Sequence, residues 1–337
     1  MFQTIALLLF MLVIILIAAE IFTNALEHLG QKLAISEGVT GSIFAAVATA
    51  MPETMVPLLA ILGGSGQSEV NQEIGVGAIL GAPLMLGTLS TCLMGMSVWR
   101  QRGPGGRIVP EMSGFLRDLN FFLGAYALAA LAMFMPQHGA GAMLRAALCL
   151  ALVLAYLIYA LLTLRASSEL VDQGHGTEAH GVLFLARLGL PPGWTGILLQ
   201  LLAGMGLLIG GAEGFISGVK DASGMLGISP LLLSLMVIPI ATELPEKINS
   251  ILWIRKGRDT LSFGNITGAM VFQGTLLPAI GIALTPWTPR HEVFISLTVT
   301  LAAALWLRCI ARRGIRVWHL SISGALYVLY LALTLHR

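Results

Sequence analysis

Residues 19–53 read AEIFTNALEHLGQKLAISEGVTGSIFAAVATAMPE, and residues 212–246 read AEGFISGVKDASGMLGISPLLLSLMVIPIATELPE. The two stretches align without a gap at a constant offset of 193, and ten positions carry the same residue. A second block follows, in which GAILGA at 77–82 lies over GNITGA at 264–269 at an offset of 187. Because self-similarity at a fixed offset is the sequence signature of an internal repeat, we predict that the chain contains two related halves.

The composition places both halves in a membrane. Of the 337 residues, 56% are hydrophobic and only 11% are charged, whereas a soluble domain usually carries about 25% charged residues. Apolar stretches of about 20 residues recur along the chain, which is the length that a helix needs to cross a bilayer. The three cysteines lie far apart, so they indicate neither a disulfide framework nor a metal cluster.

We therefore predict an all-α polytopic membrane protein with ten transmembrane helices. The predicted spans are residues 3–26, 38–62, 73–98, 115–135, 142–164, 195–219, 228–254, 262–284, 291–309 and 317–335. The first five-helix repeat covers 1–164, a connecting loop covers 165–194, and the second repeat covers 195–337. Because five is an odd number, the two repeats enter the membrane in opposite orientations. Inverted repeats are an architecture of secondary transporters, whose sites lie near the bilayer midplane where the halves meet.

The distribution of lysine and arginine predicts the orientation of the chain. The connections after the odd-numbered spans hold fourteen of these residues: Lys32, Arg100, Arg102, Arg107, Arg117, Arg165, Arg187, Arg255, Lys256, Arg258, Arg308, Arg312, Arg313 and Arg316. The opposite side holds four: Arg145, Lys220, Arg290 and Arg337. We therefore expect the loop 165–194 in the cytoplasm and both termini outside, in a bacterial inner membrane. This asymmetry also accounts for the basic residues without a nucleic-acid partner.

Each half carries a Pro-Glu step inside an apolar span, at residues 52–53 and 245–246. A proline in a helix leaves the carbonyl four residues earlier without its donor, so we expect spans 2 and 7 to be interrupted close to Pro52 and Pro245. A charged group at the bilayer centre costs at least about 2.5–3.5 kcal/mol, which favours a function for both glutamates. Carboxylates and freed carbonyls are hard oxygen ligands that suit Ca²⁺, Mg²⁺ or Na⁺. Two such half-sites could wrap one divalent cation; otherwise the prolines are kinks and the glutamates face a water-filled crevice.

These motifs resemble the signature of the cation/calcium exchanger superfamily, which includes sodium/calcium and proton/calcium antiporters. The family motif Gly-Thr-Ser-Leu-Pro-Glu corresponds to Ala-Thr-Ala-Met-Pro-Glu at 48–53 and to Ala-Thr-Glu-Leu-Pro-Glu at 241–246. The resemblance implies alternating access, in which spans 1 and 6 slide across a bundle that holds the ions. The cation ligands that it implies are the paired carboxylates and the neighbouring hydroxyls of Glu53, Glu246, Thr49 and Thr242.

The chain departs from the family pattern at most of the positions that line the family's sodium sites. The serine before Leu-Pro-Glu is Ala50 in the first half and Glu243 in the second. Where the glycine-rich helices of the family carry an Asn or Asp, this chain has Leu86 and Gln273. Asn265 keeps the asparagine that follows the first glycine in the second half. We add Glu243, Gln273 and Asn265 to the candidate metal ligands.

Glu243 lies four residues before Lys247, a spacing at which two side chains share one face of a helix. Two interpretations stay open. Glu243 neutralises Lys247 beside the site, or Glu243 is an added acidic ligand that replaces the lost hydroxyls. Lys247 could also act as a tethered cation when the substrate leaves.

The residues together predict a secondary antiporter that exchanges Ca²⁺, or a related divalent cation, for H⁺ or Na⁺. The missing hydroxyls favour protons, because neighbouring carboxylates in a low-dielectric cavity resist being ionised together. The alternatives are an exchanger of Mg²⁺, Mn²⁺, K⁺ or Na⁺ against H⁺, and a passive cation channel. An enzyme is not expected, since no nucleophile–base pair or zinc-type spacing occurs within a span. The only expected partners are the transported cations and the lipid bilayer, and no cofactor is expected.

Overall fold

A computed structural model describes residues 2–32, 51–62, 68–171, 182–187, 189 and 193–335. Its helices, in chain order, are α1 Phe2–Lys32, α2 Met51–Leu62, α3 Ser68–Met85, the π-helical turn π1 Leu86–Ser90, α4 Thr91–Arg102, α5 Met112–Ala132, α6 Ala140–Val171, α7 Phe184–Arg187, α8 Trp194–Leu226, α9 Pro230–Thr242, α10 Leu244–Arg255, α11 Asp259–Leu284, α12 His291–Arg313 and α13 Val317–Leu335. Two short strands, β1 Arg107–Ile108 and β2 Ile315–Arg316, pair antiparallel.

The protein is an all-α membrane protein. Among the residues that the structure describes, eight helices are long and apolar enough to cross a membrane. Two shorter apolar helices, Glu53–Leu62 and Pro230–Ile240, fall inside the predicted second and seventh spans. The first part of the predicted second span, residues 38–50, lies outside the described residues. Helix α6 continues past the predicted end at 164 to Val171, because no glycine or proline interrupts it before that point.

The described residues divide into two compact units, of which the first comprises Met1–Gly63 and Ala160–Gly227. Its centre is the pair of helices α1 and α8, which pack antiparallel through glycines of α8. A Cβ at Gly211 would lie 2.9 Å from Ile15 Cγ1, and a Cβ at Gly218 would lie 2.7 Å from Leu8 Cδ2. Small residues at such an interface let two membrane helices approach closely.

A buried amide clasp fixes one end of this helix pair. Gln200 Nε2 donates to Ile21 O at 2.9 Å and to Asn24 Oδ1 at 2.8 Å. Gln200 Oε1 in turn accepts the N–H of Leu185 at 3.0 Å, and Asn24 Oδ1 accepts the N–H of Phe184 at 3.1 Å. The short helix α7 is therefore tied to α1 and α8 by hydrogen bonds to the side chains of two buried residues.

The second unit comprises Gly64–Tyr159 and Ile228–Arg337. Within it, α5 packs closely on α11, where a Cβ at Gly274 would lie 2.6 Å from Phe122 Cδ2. Helix α3 packs in the same way on α9, where a Cβ at Gly77 would lie 2.6 Å from Leu231 O. The two pairs include α9 and α11. Together with α10, these helices carry the polar residues of the second half.

Connections between the helices of the second unit meet at its two ends. At one end, Arg102 bonds to both carboxylate oxygens of Asp259 at 2.7 and 2.9 Å, and β1 pairs with β2. These contacts join the connections after spans 3, 7 and 9. At the other end of α3, Glu73 forms an ion pair with Arg290. Within the second unit, the connections after spans 3, 7 and 9 therefore meet at one end, and the start of α3 meets the connection after span 8 at the other end.

Candidate cation site

The predicted seventh span is broken into two helices at Glu243. Helix α9 ends one residue before it and α10 begins one residue after it, while Glu243 itself has φ −86° and ψ 7°. Pro239 lies inside α9 and Pro245 lies in the first turn of α10, so the break occurs where helical carbonyls lose their donors. The interruption that we predict near Pro245 is confirmed. The residues before Met51, where the matching break is predicted, lie outside the described residues.

Two carboxylates of the second unit converge at this break. Glu243 is fully buried, and Glu246 is 3% exposed. An oxygen of one carboxylate lies within 4.8 Å of an oxygen of the other. One hard cation with metal–oxygen distances of about 2.3–2.6 Å can bridge that separation. Glu246 also lies in the first turn of α10, where the helix dipole favours a negative charge.

The side chain of Gln273 on α11 reaches this carboxylate pair. Its Nε2 donates to Glu243 Oε1 at 2.8 Å, and the residue is fully buried. A neutral amide can fix the orientation of a carboxylate without cancelling its charge. The structure therefore brings Gln273 and Glu243 together, and it gives the glutamine a positioning contact.

Asn265 supports the backbone of α10 from the neighbouring helix. Its Nδ2 donates to Glu246 O at 3.1 Å and to Ser250 Oγ at 3.0 Å. Ser262 Oγ donates to Ser250 O at 2.7 Å and so joins the same network. The two serines were not among the residues predicted from sequence, because neither belongs to a repeat motif. The network holds the first turns of α10 in place.

Two further side chains at the break donate to backbone carbonyls. Thr242 Oγ1 donates to the carbonyl four residues earlier at 3.3 Å, and its oxygen keeps lone pairs that a cation could use. Lys247 Nζ donates to Pro239 O at 2.9 Å and to Ile240 O at 3.5 Å. Both side chains are buried. Both interpretations of Glu243, as the partner of Lys247 and as an added acidic ligand, stay predictions.

The candidate ligands of the first half lie elsewhere in the chain. Glu53 occupies the first turn of α2, in the first unit, and is 3% exposed. Thr49 lies outside the described residues. The convergence of these two side chains with the carboxylates of the second half therefore stays a prediction.

Asp118 is a buried carboxylate of the second unit that the sequence analysis did not single out. It is 4% exposed, its Oδ1 accepts from Tyr159 OH at 3.1 Å, and its Oδ2 accepts from Thr267 Oγ1 at 2.7 Å. Arg117 Nε lies 3.7 Å from the same carboxylate. An aspartate inside a predicted span is a signal that could have identified it. These contacts tie α5, α6 and α11 together.

Apolar membrane helices, an internal repeat and carboxylates buried at a helix break are together typical of a membrane cation transporter. The chain belongs to the sodium/calcium exchanger protein family, whose profile matches residues 3–165 and 196–336. CaxA of Alkalimonas amylolytica, which is named as an antiporter, is 24% identical over 308 residues that cover 87% of this chain and 86% of CaxA.

Solved structures share the fold. The crystal structure of the H⁺/Ca²⁺ exchanger CAX aligns with a TM-score of 0.71 at 19% identity, over 97% of this chain and 81% of that one. The sodium-calcium exchanger NCX_Mj aligns with a TM-score of 0.57 at 19% identity, over 98% of both chains. Membership of the exchanger family makes the protein a membrane-embedded cation exchanger, which is a transporter.

Proposed function

We propose that this exchanger moves Ca²⁺, or a related divalent cation, against protons by alternating access. The observation that carries the proposal is the pair of buried carboxylates, Glu243 and Glu246, whose oxygens lie within 4.8 Å of each other at a broken helix. Carboxylate oxygens at this separation can bridge one hard cation with metal–oxygen distances of about 2.3–2.6 Å. A divalent cation is the ion that such paired carboxylates suit.

The proposed architecture is that of ten helices in two inverted five-helix repeats. The repeat alignment supports it, because it places Glu53 at the position equivalent to Glu246. Glu53 and Glu246 are the paired ligands, and Glu243 is a third carboxylate. The hydroxyls of Thr49 and Thr242 complete the ligand set. In this proposal Gln273 and Asn265 position the ligands.

The coupling ion is proposed to be the proton. Sodium coupling needs oxygen ligands beside the divalent site, and Ala50 and Leu86 offer no side-chain oxygen where the family pattern has polar residues. Buried carboxylates, in contrast, can take up protons when the cation leaves. Sodium is the alternative coupling ion, supplied by backbone carbonyls or water.

The proposed orientation places both termini outside and residues 165–194 in the cytoplasm, in a bacterial inner membrane. The excess of lysine and arginine in the odd-numbered connections supports this orientation. The sorting of connections to opposite ends of the second unit is consistent with it.

The test is uptake of radioactive Ca²⁺ by the full chain in proteoliposomes, with pH and sodium gradients imposed separately at clamped voltage. We expect saturable uptake that a pH gradient drives at fixed sodium. Glu53→Gln and Glu246→Gln should each abolish it, because each removes a charge that a divalent cation needs. Glu292→Gln, which changes a glutamate at the start of α12, is the matched control and should transport normally.

Three outcomes would contradict parts of this proposal. Full uptake by both glutamine variants would exclude the paired-carboxylate site. Uptake driven by sodium alone at fixed pH would replace the proton with sodium as the coupling ion. Uptake that does not saturate and needs no counter-ion gradient would favour a passive cation channel.

A further inference from the structure

Lys247 is a buried lysine in the first turn of α10, just after the break in the predicted seventh span. It is 6% exposed, and its ammonium donates to Pro239 O at 2.9 Å and Ile240 O at 3.5 Å. Both carbonyls belong to the last turn of α9. The C-terminal end of a helix carries a partial negative charge, which favours a cation at this position.

This arrangement has the form of a cation site. In transporters with broken helices, backbone carbonyls at the C-terminal ends of half-helices coordinate monovalent cations. Here the carbonyls of Pro239 and Ile240 face an ammonium that the chain itself supplies, and Pro239 O uses its second lone pair to accept the N–H of Glu243 at 3.2 Å. Lys247 immediately follows Glu246 in the chain, and its ammonium bonds to the last turn of α9, which ends one residue before Glu243.

The positive charge of Lys247 affects which cation the site can bind, because it changes the net charge of the site. Lysine is costly within a membrane span, by at least about 2.5–3.5 kcal/mol at the centre, so an apolar or neutral residue would be the cheaper occupant. The three proposed carboxylates and one ammonium together leave two negative charges. One divalent cation neutralises that remainder, whereas without the ammonium a further monovalent cation would be needed.

We propose that Lys247 is a tethered monovalent cation: its ammonium permanently occupies a site for a monovalent cation formed by the carbonyls of Pro239 and Ile240. The proposal rests on the proposed function and deepens it. Lys247 thereby determines that the exchanger binds a divalent cation without a separate monovalent ion beside it. When the charge of Lys247 is removed, the carbonyls become available to Na⁺ or K⁺.

A purely structural role makes a different prediction. If Lys247 only caps the last turn of α9, a neutral side chain that can still donate a hydrogen bond should replace it. Lys247→Gln keeps an amide donor and removes the charge, so it separates the two roles. Lys247→Met removes both, and Lys247→Arg keeps the charge.

The experiment compares Ca²⁺ uptake under a fixed pH gradient in choline, Na⁺ and K⁺ media. We expect Lys247→Gln and Lys247→Met to be stimulated about tenfold, and saturably, by Na⁺ or K⁺ relative to choline, a factor in the usual range of coupling between sites. The wild type and Lys247→Arg should show no such dependence, whatever the absolute rate of the arginine variant. Lys220→Gln, which changes a lysine of α8, is the control for loss of a positive charge and should behave as the wild type does.

Each outcome has one meaning. Folded Lys247→Gln with the same uptake in all three media, or with no uptake in any, overturns the proposal. If neither neutral variant folds, the wild type decides in media with equal Na⁺ or K⁺ on both sides, where no monovalent gradient can drive transport. Saturable stimulation of wild-type uptake relative to choline would overturn the proposal, and its absence would support it. Absence of divalent uptake by the wild type would instead refute the proposed function, so the two failures are distinguishable.

Discussion

Replacing Gly81 by alanine tests whether the close packing of α3 on α9 maintains the helix break. A Cβ at this position would collide with Leu235 O and would lie 2.6 Å from Pro239 Cγ. Leu235 O is also the carbonyl that Pro239 leaves without its helical donor. The substitution therefore presses on α9 at the backbone of Leu235, about two turns before Glu243, and at the ring of Pro239, about one turn before it.

The size of the effect follows from these contacts. In protein structures a Cβ atom essentially never lies within 3.0 Å of a heavy atom to which it is not bonded. The Leu235 oxygen belongs to the backbone, so it cannot rotate away from the added Cβ. The two helices must therefore part by about half an ångström or more, and overpacking of this kind costs about 1–3 kcal/mol. Alanine regains up to about 1 kcal/mol through its better helix propensity. Because a backbone atom is involved, we expect a net loss of about 2 kcal/mol.

The assay is thermal unfolding of the purified protein in detergent, followed by tryptophan fluorescence. Gly81→Ala should melt below the wild type. Gly124→Ala, whose Cβ would meet no described atom within 4 Å, should melt at the same temperature or slightly above it. Transport by Gly81→Ala should fall by about tenfold or more, since displacement of a ligand by about 1 Å can cost a factor of about 10². If Gly81→Ala melts and transports as Gly124→Ala does, the packing argument is wrong.

Two further predictions concern the polar ties outside the site. Asp259→Asn should destabilise the second unit by about 1–3 kcal/mol, because it breaks the bidentate pair with Arg102 and weakens the hydrogen bond that the aspartate accepts from the Val109 N–H. A melting temperature equal to that of the control variant Glu292→Gln would contradict this prediction. Gln200→Leu should cost about 1–3 kcal/mol and increase proteolysis around α7, since it leaves the N–H of Leu185 without its acceptor; unchanged cleavage in membrane vesicles would contradict it.

Features that depend on local covalent chemistry could be predicted from the sequence. Pro239 and Pro245 restrict the backbone wherever they occur, so the break in the seventh span could be placed to within two residues. Small residues at four-residue spacing let membrane helices approach closely, and Gly77 and Gly81 lie against the backbone of α9. The predicted ends of helices agree less well with the structure, as α6 shows, because fraying and capping depend on a few residues beyond the apolar run.

Contacts between distant residues could not be predicted in this way. Gln200 bonds to Asn24, and Asp118 bonds to Thr267 across helices that are far apart in the chain. Hydrophobic periodicity indicates which face of a helix is buried, but it does not identify the partner on the facing helix. In a single sequence, a buried polar residue can be recognised, while the group that satisfies it becomes apparent only in three dimensions.

Glu243 and Gln273 are two departures from the family pattern that form a contact with each other. Taken singly, a glutamate replaces the serine before Leu-Pro-Glu, and a glutamine replaces an asparagine or aspartate on the glycine-rich helix. The structure joins the two side chains by a hydrogen bond of 2.8 Å. A carboxylate at the break is therefore in direct contact with an amide on α11, at two positions where the chain departs from the family pattern. The second half thus keeps acidic character at the break, while Ala50 and Leu86 leave the first half without an equivalent pair.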